Sequence, residues 1–161
     1  MGMVCNLVKV DQKSILEIKS NELNLEDFLY PDGEEIKLMI TLDKSWQIIH
    51  YVLTGTEWDA STTLGKAILG GTEYGDDVGY GPARLLEASD VIEISGELEK
   101  ITLDDFIKLL KSRSYKNAEI YCFDYNNIDD EIEYSGNYFL ELKKIYSEAA
   151  RSGMGILIYV N

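Results

Sequence analysis

The sequence ends in GILIYVN, from Gly155 to Asn161, an apolar and β-branched stretch that is typical of a buried strand. A similar stretch, from Met3 to Val10, lies near the start. Most of the chain between them carries the apolar spacing of three and four residues that marks amphipathic helices. This arrangement predicts an α+β fold in which both terminal strands lie near each other in one small mixed sheet packed by several helices.

The length and composition predict one domain with a substantial core. A chain of 161 residues is the size of a single domain, and its apolar content is 45%. Such a chain buries enough apolar surface to fold without disulfides or metals. We therefore expect a single domain over residues 1–161.

The charge balance disfavours several classes of partner. The chain carries 15 basic and 29 acidic residues, which gives a formal net charge of -14. A field of this sign repels nucleic-acid phosphates and anionic membrane surfaces, so neither is an expected partner. The charge has two open interpretations, since it can serve solubility or attract a basic protein.

The two cysteines and the N-terminal sequence favour the cytoplasm. Cys5 and Cys122 are widely separated, and we expect both thiols to be reduced. The first residues have no basic segment followed by a long apolar run, and no stretch of about eighteen apolar residues occurs anywhere. We expect no membrane association.

Capping residues and glycines predict where the helices begin and end. A helix with Trp46, Ile49, His50 and Leu53 on one face is expected to end at Gly55, and a final helix to span residues 136–152. The expected N-caps of the successive helices are Asp11, Asp43, Thr62 or Thr63, Ser89, and Thr102 paired with Asp105. These assignments place most of the chain in short helices.

Glycine-rich and acidic segments predict the connections. The stretch GGTEYGDDVGYGP, residues 70–82, is expected to be the longest loop, with a short strand following at residues 84–86. A turn is expected at Pro31-Asp32-Gly33, and residues 34–42 are ambiguous between strand and helix. Residues 118–123 read as extended, and the acidic residues 124–133 as a solvated loop.

The sequence contains no motif that defines a reaction, a metal or a cofactor. One histidine and two distant cysteines do not supply the ligand spacing of a zinc site. The run IDDEIE, residues 128–133, lacks the glycine and the terminal glutamate of a calcium loop. Neither a nucleotide-binding glycine motif nor a serine nucleophile elbow is present, so we expect no metal and no cofactor.

His50, the only histidine, has two open interpretations. The structural one is a half-buried imidazole bonded to a backbone carbonyl. The functional one is a pocket formed by Trp46, His50, Thr54, Tyr80 and Arg84. There Arg84 would bind an anion or carboxylate, Tyr80 would stack or donate a hydrogen bond, and His50 would donate or shuttle a proton.

The order of several short segments resembles the YfbM-like bacterial proteins, a family classed as a domain of unknown function. The segments are MGM at residues 1–3, LDKSWQIIHYVLTG at 42–55, KAILGG at 66–71, GYGPARLL at 79–86 and YSEAARSGMGILIYV at 146–160. The residues that match the family pattern are Trp46, His50, Thr54, Gly55, Gly70, Gly71, Tyr80, Gly81 and Arg84.

The resemblance implies a single α+β domain in the bacterial cytoplasm, with no established activity. The chain departs from the family at Ile120-Tyr121-Cys122, where the family pattern has proline in the third position. The resemblance also brings the His50 helix and the GYGPAR segment into one set of motifs.

Three functions remain open at this point. Because no catalytic set is recognisable, we expect a noncatalytic binding or interaction protein that uses the surface around His50, Tyr80 and Arg84. The alternatives are a small enzyme that acts on an anionic metabolite through His50 and Arg84, and an immunity or antitoxin-like protein that neutralises a basic partner. The partner is thus a protein or a small anionic ligand, and the sequence does not indicate the oligomeric state.

Overall fold

The two terminal strands pair with each other at the centre of a five-stranded sheet in the computed structural model, which describes residues 2–31 and 39–161. The strands are β1 Cys5–Val10, β2 Met39–Asp43, β3 Thr72–Asp77, β4 Pro82–Leu86 and β5 Gly155–Val160. Their order in the sheet is β2-β1-β5-β4-β3. The register between β1 and β5 places Cys5 opposite Val160 and Val10 opposite Gly155.

The helices account for most of the remaining described chain. They are α1 Gln12–Lys19, α2 Leu25–Leu29, α3 Trp46–Thr54, α4 Thr63–Leu69, α5 Ala88–Glu99, α6 Leu103–Ser112 and α7 Ile128–Arg151, with a 3-10 turn at Tyr125–Asn127 before α7. The predicted α+β class and the pairing of the terminal strands are confirmed. The expected mixed sheet is wrong, because all four strand pairings are antiparallel.

Helices cover both faces of the sheet because the central strands alternate apolar side chains between the faces. Leu7 of β1 and Ile158 of β5 pack with α3 to α7 in the larger core cluster. Val8 and Leu157, one position along each strand, pack with α1 and α2 in a second cluster. The sheet is therefore the middle layer of three, and α3 to α7 form the thicker outer layer.

The predicted caps are partly confirmed. The side chains of Asp11, Thr62 and Thr102 accept hydrogen bonds from backbone N–H groups in the first turns of α1, α4 and α6. Asp43 is not the cap of α3: it ends β2, and its carboxylate accepts a hydrogen bond of 2.8 Å from the Tyr134 hydroxyl instead. The N-cap of α3 is Ser45.

Two further predicted boundaries are wrong. The N-cap of α5 is Glu87 rather than Ser89, because the helix starts directly after β4 ends at Leu86. The final helix begins at Ile128, eight residues before the predicted start at Gly136. Acidic side chains in its first turn interact favourably with the helix dipole, so the acidic stretch read as a loop at residues 124–133 is mostly helical.

The glycine-rich segment at residues 70–82 is not one long loop, because it contains a strand and the turn of a β-hairpin. Residues 72–77 form β3, which pairs with residues 82–85 of β4, and residues 78–81 form the turn between the two strands. Because β3 lies at the sheet edge, most of its side chains face water, which explains its polar composition. Residues 118–123, predicted to be extended, form no strand: Tyr121 and Cys122 form a turn, and Cys122 has a left-handed backbone with φ of 53°.

The remaining predictions fall at the border of the described chain. β2 resolves the ambiguous region as a strand from Met39 onward, whereas residues 34–38 lie outside the described residues. The predicted turn lies outside them from Asp32 on. In the described ranges, no helix combines the length and the apolar character needed to cross a bilayer.

Candidate functional site

A cavity of about 430 Å³ opens at the end of the sheet where β1 and β4 begin and β5 ends. We call it the Arg84 cavity, after the basic side chain in its wall. Its other polar and aromatic lining residues are Trp46, Trp58, Glu73 and Tyr80, and its remaining lining is largely apolar. Trp46, Tyr80 and Arg84 of the predicted pocket are thus brought together here.

Arg84 reaches the cavity because of its position in β4. Its neighbours Ala83 and Leu85 point into the core beneath α1 and α2, so Arg84 lies on the opposite face. The guanidinium donates one hydrogen bond of 3.1 Å to the backbone oxygen of Ile68. Among the described residues, no carboxylate lies within 4.0 Å of it, so most of its N–H groups have no protein acceptor there.

The surroundings of Arg84 disfavour its charge without removing it. Burial lowers the pKa of the guanidinium, while the negative forms of Cys5, Glu73 and Tyr146 nearby act in the opposite direction. Because an arginine titrates far above neutral pH, the group keeps its charge at pH 7. A partly buried cation without a carboxylate partner is a site that an anionic group would stabilise.

Two tryptophans form the aromatic wall of the cavity. Trp46 is the first residue of α3 and is anchored by a hydrogen bond of 3.1 Å from its indole Nε1 to the Met3 carbonyl. Trp58 follows α3, and its ring centroid lies 5.9 Å from that of Trp46 at an interplanar angle of 54°. Trp46 is 2% exposed and Trp58 is 62% exposed, so the outer ring is free to contact a ligand.

Tyr80 is held in place by the turn between β3 and β4. Its backbone N–H donates to the Val160 carbonyl at 2.9 Å. The Asp77 carboxylate accepts hydrogen bonds from the backbone N–H groups of Gly79 and Gly81, and these bonds lower the pKa of Asp77. The Tyr80 side chain is 55% exposed, so the backbone rather than side-chain packing sets its position.

His50 and Thr54 are not among the lining residues of the cavity. Thr54 Oγ1 donates to the His50 carbonyl at 2.8 Å, a bond within α3. His50 is 0% exposed, and neither ring nitrogen has a hydrogen-bond partner among the described residues. The backbone of Asp59 is near enough to favour the protonated ring, but no hydrogen bond of normal geometry forms there, so the carbonyl bond expected from the sequence is not made within the described chain.

Burial keeps His50 neutral at pH 7. Desolvation lowers its pKa from 6.5 to about 4, although Asp59 favours the protonated ring; the positive charge of Arg84 adds a smaller lowering effect. A neutral imidazole enclosed by the core is poorly placed to exchange protons with a molecule in the Arg84 cavity. The groups that can bind a ligand in the Arg84 cavity therefore do not include His50.

Sequence reasoning missed two residues of the site, Trp58 and Glu73. Trp58 lies in a polar segment after a helix. A single tryptophan without apolar periodicity around it is expected to be exposed, and an exposed large ring is a signal of a binding site. Glu73 lies in the segment read as a loop, and only its pairing with β4 places it opposite Arg84. Nothing in the sequence gives that register.

A second cavity of about 400 Å³ lies between the α1–α2 connection and β3. Its described lining contains the carboxylates of Glu26, Asp76 and Asp77 and no basic side chain. No three histidine, cysteine, aspartate or glutamate side chains cluster closely enough to hold a metal ion in the residues described. The Arg84 cavity is the better candidate site because it combines aromatic rings with a charged group.

Comparison with known proteins identifies a family. The sequence model of a family described as a domain of unknown function, DUF1877, matches residues 1–159. The chain therefore belongs to this family of uncharacterised proteins. No curated protein matches the sequence.

The fold is similar to that of a crystal structure from Escherichia coli, that of YfbM, a protein of unknown function. The two share 18% sequence identity, and the match covers 98% of this chain and 99% of the other with a TM-score of 0.64. The resemblance to YfbM-like proteins that the sequence motifs indicated is thus confirmed, and with it the α+β fold.

Proposed function

We propose that this protein is a noncatalytic binding protein that holds a small molecule in the Arg84 cavity. The ligand carries a carboxylate or similar anionic group for Arg84 and an apolar or aromatic part for Trp58 and Tyr80. The observation that supports this most directly is the Arg84 guanidinium, which is partly buried and has one backbone carbonyl as its protein acceptor among the described residues.

The energetics of a partly buried cation support this proposal. Removing a guanidinium from water is unfavourable unless its N–H groups find acceptors. A ligand carboxylate can accept two parallel hydrogen bonds from arginine, which fixes orientation as well as adding affinity. The aromatic wall then supplies contact area for the rest of the ligand.

The enzyme alternative has weaker support. A general acid or base must come within hydrogen-bonding reach of its substrate, whereas His50 is enclosed and does not line the cavity. Arg84 as an anchor is common to both functions. The binding function needs only the groups that line the cavity.

The proposed function is tested by loading the protein from a bacterial metabolite extract and measuring native mass spectra. We expect a bound small-molecule mass in the unmodified protein that disappears in Arg84→Gln. Arg151→Gln, which changes an exposed arginine at the end of α7, is the matched control and should retain the mass. Unliganded spectra for the unmodified protein, or a mass that persists in Arg84→Gln, would contradict the proposal.

A basic protein partner is a second candidate, supported by the exposed acidic edge of the sheet. β3 presents Glu73, Asp76 and Asp77 on a strand with one free side, and the whole chain carries a net charge of -14. Such a complex would weaken strongly with added salt. Binding that is unaffected between low and high salt would exclude electrostatic capture.

The cytoplasm remains the proposed compartment. Cys5 and Cys122 are both free thiols, and Cys122 is exposed. An exposed free cysteine is stable against oxidation in a reducing compartment. Fractionation of a host that expresses the tagged protein would test this.

A further inference from the structure

The wall of the Arg84 cavity contains an acid directly opposite its base. In the antiparallel pairing of β3 and β4, Glu73 is the register partner of Arg84. Directly opposed side chains lie on the same face of a sheet, with Cβ atoms about 5 Å apart. Both residues line the cavity.

Glu73 and Arg84 do not form an ion pair with each other. No Glu73 oxygen lies within 4.0 Å of the Arg84 guanidinium, although the charge of Glu73 is near enough to raise the Arg84 pKa. The guanidinium instead turns toward the Ile68 carbonyl. Two opposite charges thus lie at the edge of one cavity with space between them.

We propose that the ligand of this cavity is a zwitterion, a free α-amino acid with an apolar or aromatic side chain. Its carboxylate contacts Arg84, its ammonium group faces Glu73, and its side chain packs on the rings of Trp58 and Tyr80. The inference rests on the proposed function and names the chemical class that this site selects.

The overall charge of the protein supports the same class of ligand. A simple anion approaching Arg84 must enter the field of a molecule with a net charge of -14 and pass beside Glu73. A zwitterion has no net charge and avoids this repulsion, and its ammonium group is attracted to Glu73. Aromatic rings also attract an ammonium group through their negative faces.

The two tryptophans of the chain, Trp46 and Trp58, both line this cavity, so intrinsic fluorescence reports its occupancy. The probes are L-leucine, L-methionine and L-phenylalanine, each compared with its N-acetyl derivative and with the corresponding amine that lacks the carboxylate. We expect saturable binding of at least one amino acid, and binding about tenfold or more weaker for both of its derivatives.

Glu73→Gln separates the zwitterion from a simple anion. In this variant we expect the amino acid to lose most of its advantage over its N-acetyl derivative. Glu93→Gln, which changes an exposed glutamate on α5, is the matched control and should keep the full difference. Circular dichroism of both variants verifies that they are folded.

Two results would overturn the inference while leaving the proposed function intact. The first is an N-acetyl derivative that binds as tightly as its amino acid in the unmodified protein, which indicates an anion site. The second is failure of all three amino acids to bind while an Arg84-dependent mass is still recovered from metabolite extract. Failure of both assays would overturn the inference and the proposed function together.

Discussion

His50 and Arg84 are both basic side chains withdrawn from water, yet burial leaves them in different protonation states. The pKa of His50 falls from 6.5 to about 4, so the ring is neutral at pH 7. Arginine titrates far above neutral pH, so the downward shift in the pKa of Arg84 leaves the guanidinium charged. Burial lowers the pKa of both groups. It therefore makes His50 neutral at pH 7, whereas Arg84 stays positively charged and can bind an anionic group.

We expect the His50 ring to stay neutral until the pH approaches 4. The chain has one histidine, so its imidazole signals in NMR spectra give this pKa without assignment. The folded pKa lies below the unfolded value of 6.5, so the unfolded state binds the proton first and stability falls as the pH drops through this window. Between pH 7 and 5 this effect amounts to about 2 kcal/mol.

His50→Leu provides the comparison for the stability measurement. The variant removes the titrating imidazole with its two unpaired nitrogens and places an apolar side chain in the core instead. Urea unfolding at pH 7 and pH 5 should show a smaller loss of stability in the variant than in the unmodified protein. Imidazole titration near pH 6.5, or equal losses in both proteins, would show that the ring is not desolvated.

The sequence was sufficient to select part of the candidate site. Trp46, Tyr80 and Arg84 share one cavity, and short-range motifs were enough to single them out. His50 matched the same motifs, but its spacing from Trp46 is typical of a buried helix face as well as of a pocket. Glu73 depends on strand register, which is set by tertiary pairing and has no local signal.

Helix termini in this protein divide into those with a side-chain cap and those without. α6 has a full capping box, in which Thr102 and Asp105 each accept a hydrogen bond from the backbone of the other. α5 begins at Ala88, its N-cap Glu87 makes no side-chain cap hydrogen bond, and Ser89 lies inside the first turn. Thr102 and Ser89, two hydroxyl residues near helix starts, therefore differ in role: Thr102 caps its helix and Ser89 does not.

We expect Thr102→Ala to destabilise the protein by about 1 kcal/mol, because it removes the acceptor for the Asp105 N–H and one half of the box. Ser89→Ala should change stability by less than about 0.5 kcal/mol, since Ser89 caps nothing. Chemical unfolding at pH 7 measures both variants. Equal losses for the two substitutions would contradict these cap assignments.

The errors in the predicted elements have a common physical origin. The sequence predicts loops at residues 70–82 and 124–133 because glycine is a poor strand former and a run of acidic residues is typical of a solvated segment. Pairing with β4 stabilises β3 as a polar edge strand, and packing against α5 and α6 extends α7 toward its acidic start. The composition of a segment indicates how exposed it is to water. It does not show which neighbouring strand or helix stabilises its conformation.

The acidic excess acts on the molecule as a whole. A net charge of -14 on a chain of 161 residues produces repulsion that is relieved when the chain expands. The described ion pairs, such as Lys19 with Glu87 and Lys100 with Glu97, are exposed and offset little of it. Ionic strength is therefore expected to affect stability.

We expect the melting temperature to rise by about 2–4 °C when sodium chloride is increased from a few millimolar to about 0.2 M, because screening reduces the repulsion. Differential scanning fluorimetry at constant pH measures the change. Choline chloride at the same ionic strength should produce the same rise, since screening does not depend on the identity of the cation. A constant or lower melting temperature would show that the acidic residues do not repel one another appreciably in the folded state.

The central position of β5 has a consequence for the order of folding. β5 joins two antiparallel pairs, β1 with β2 and β3 with β4, and its partner β1 is far from it in the sequence. Until this long-range pairing forms, each pair has an unpaired inner edge that other chains can contact. The sheet, together with the mouth of the cavity next to Val160, is therefore complete only when β5 has inserted between the two pairs.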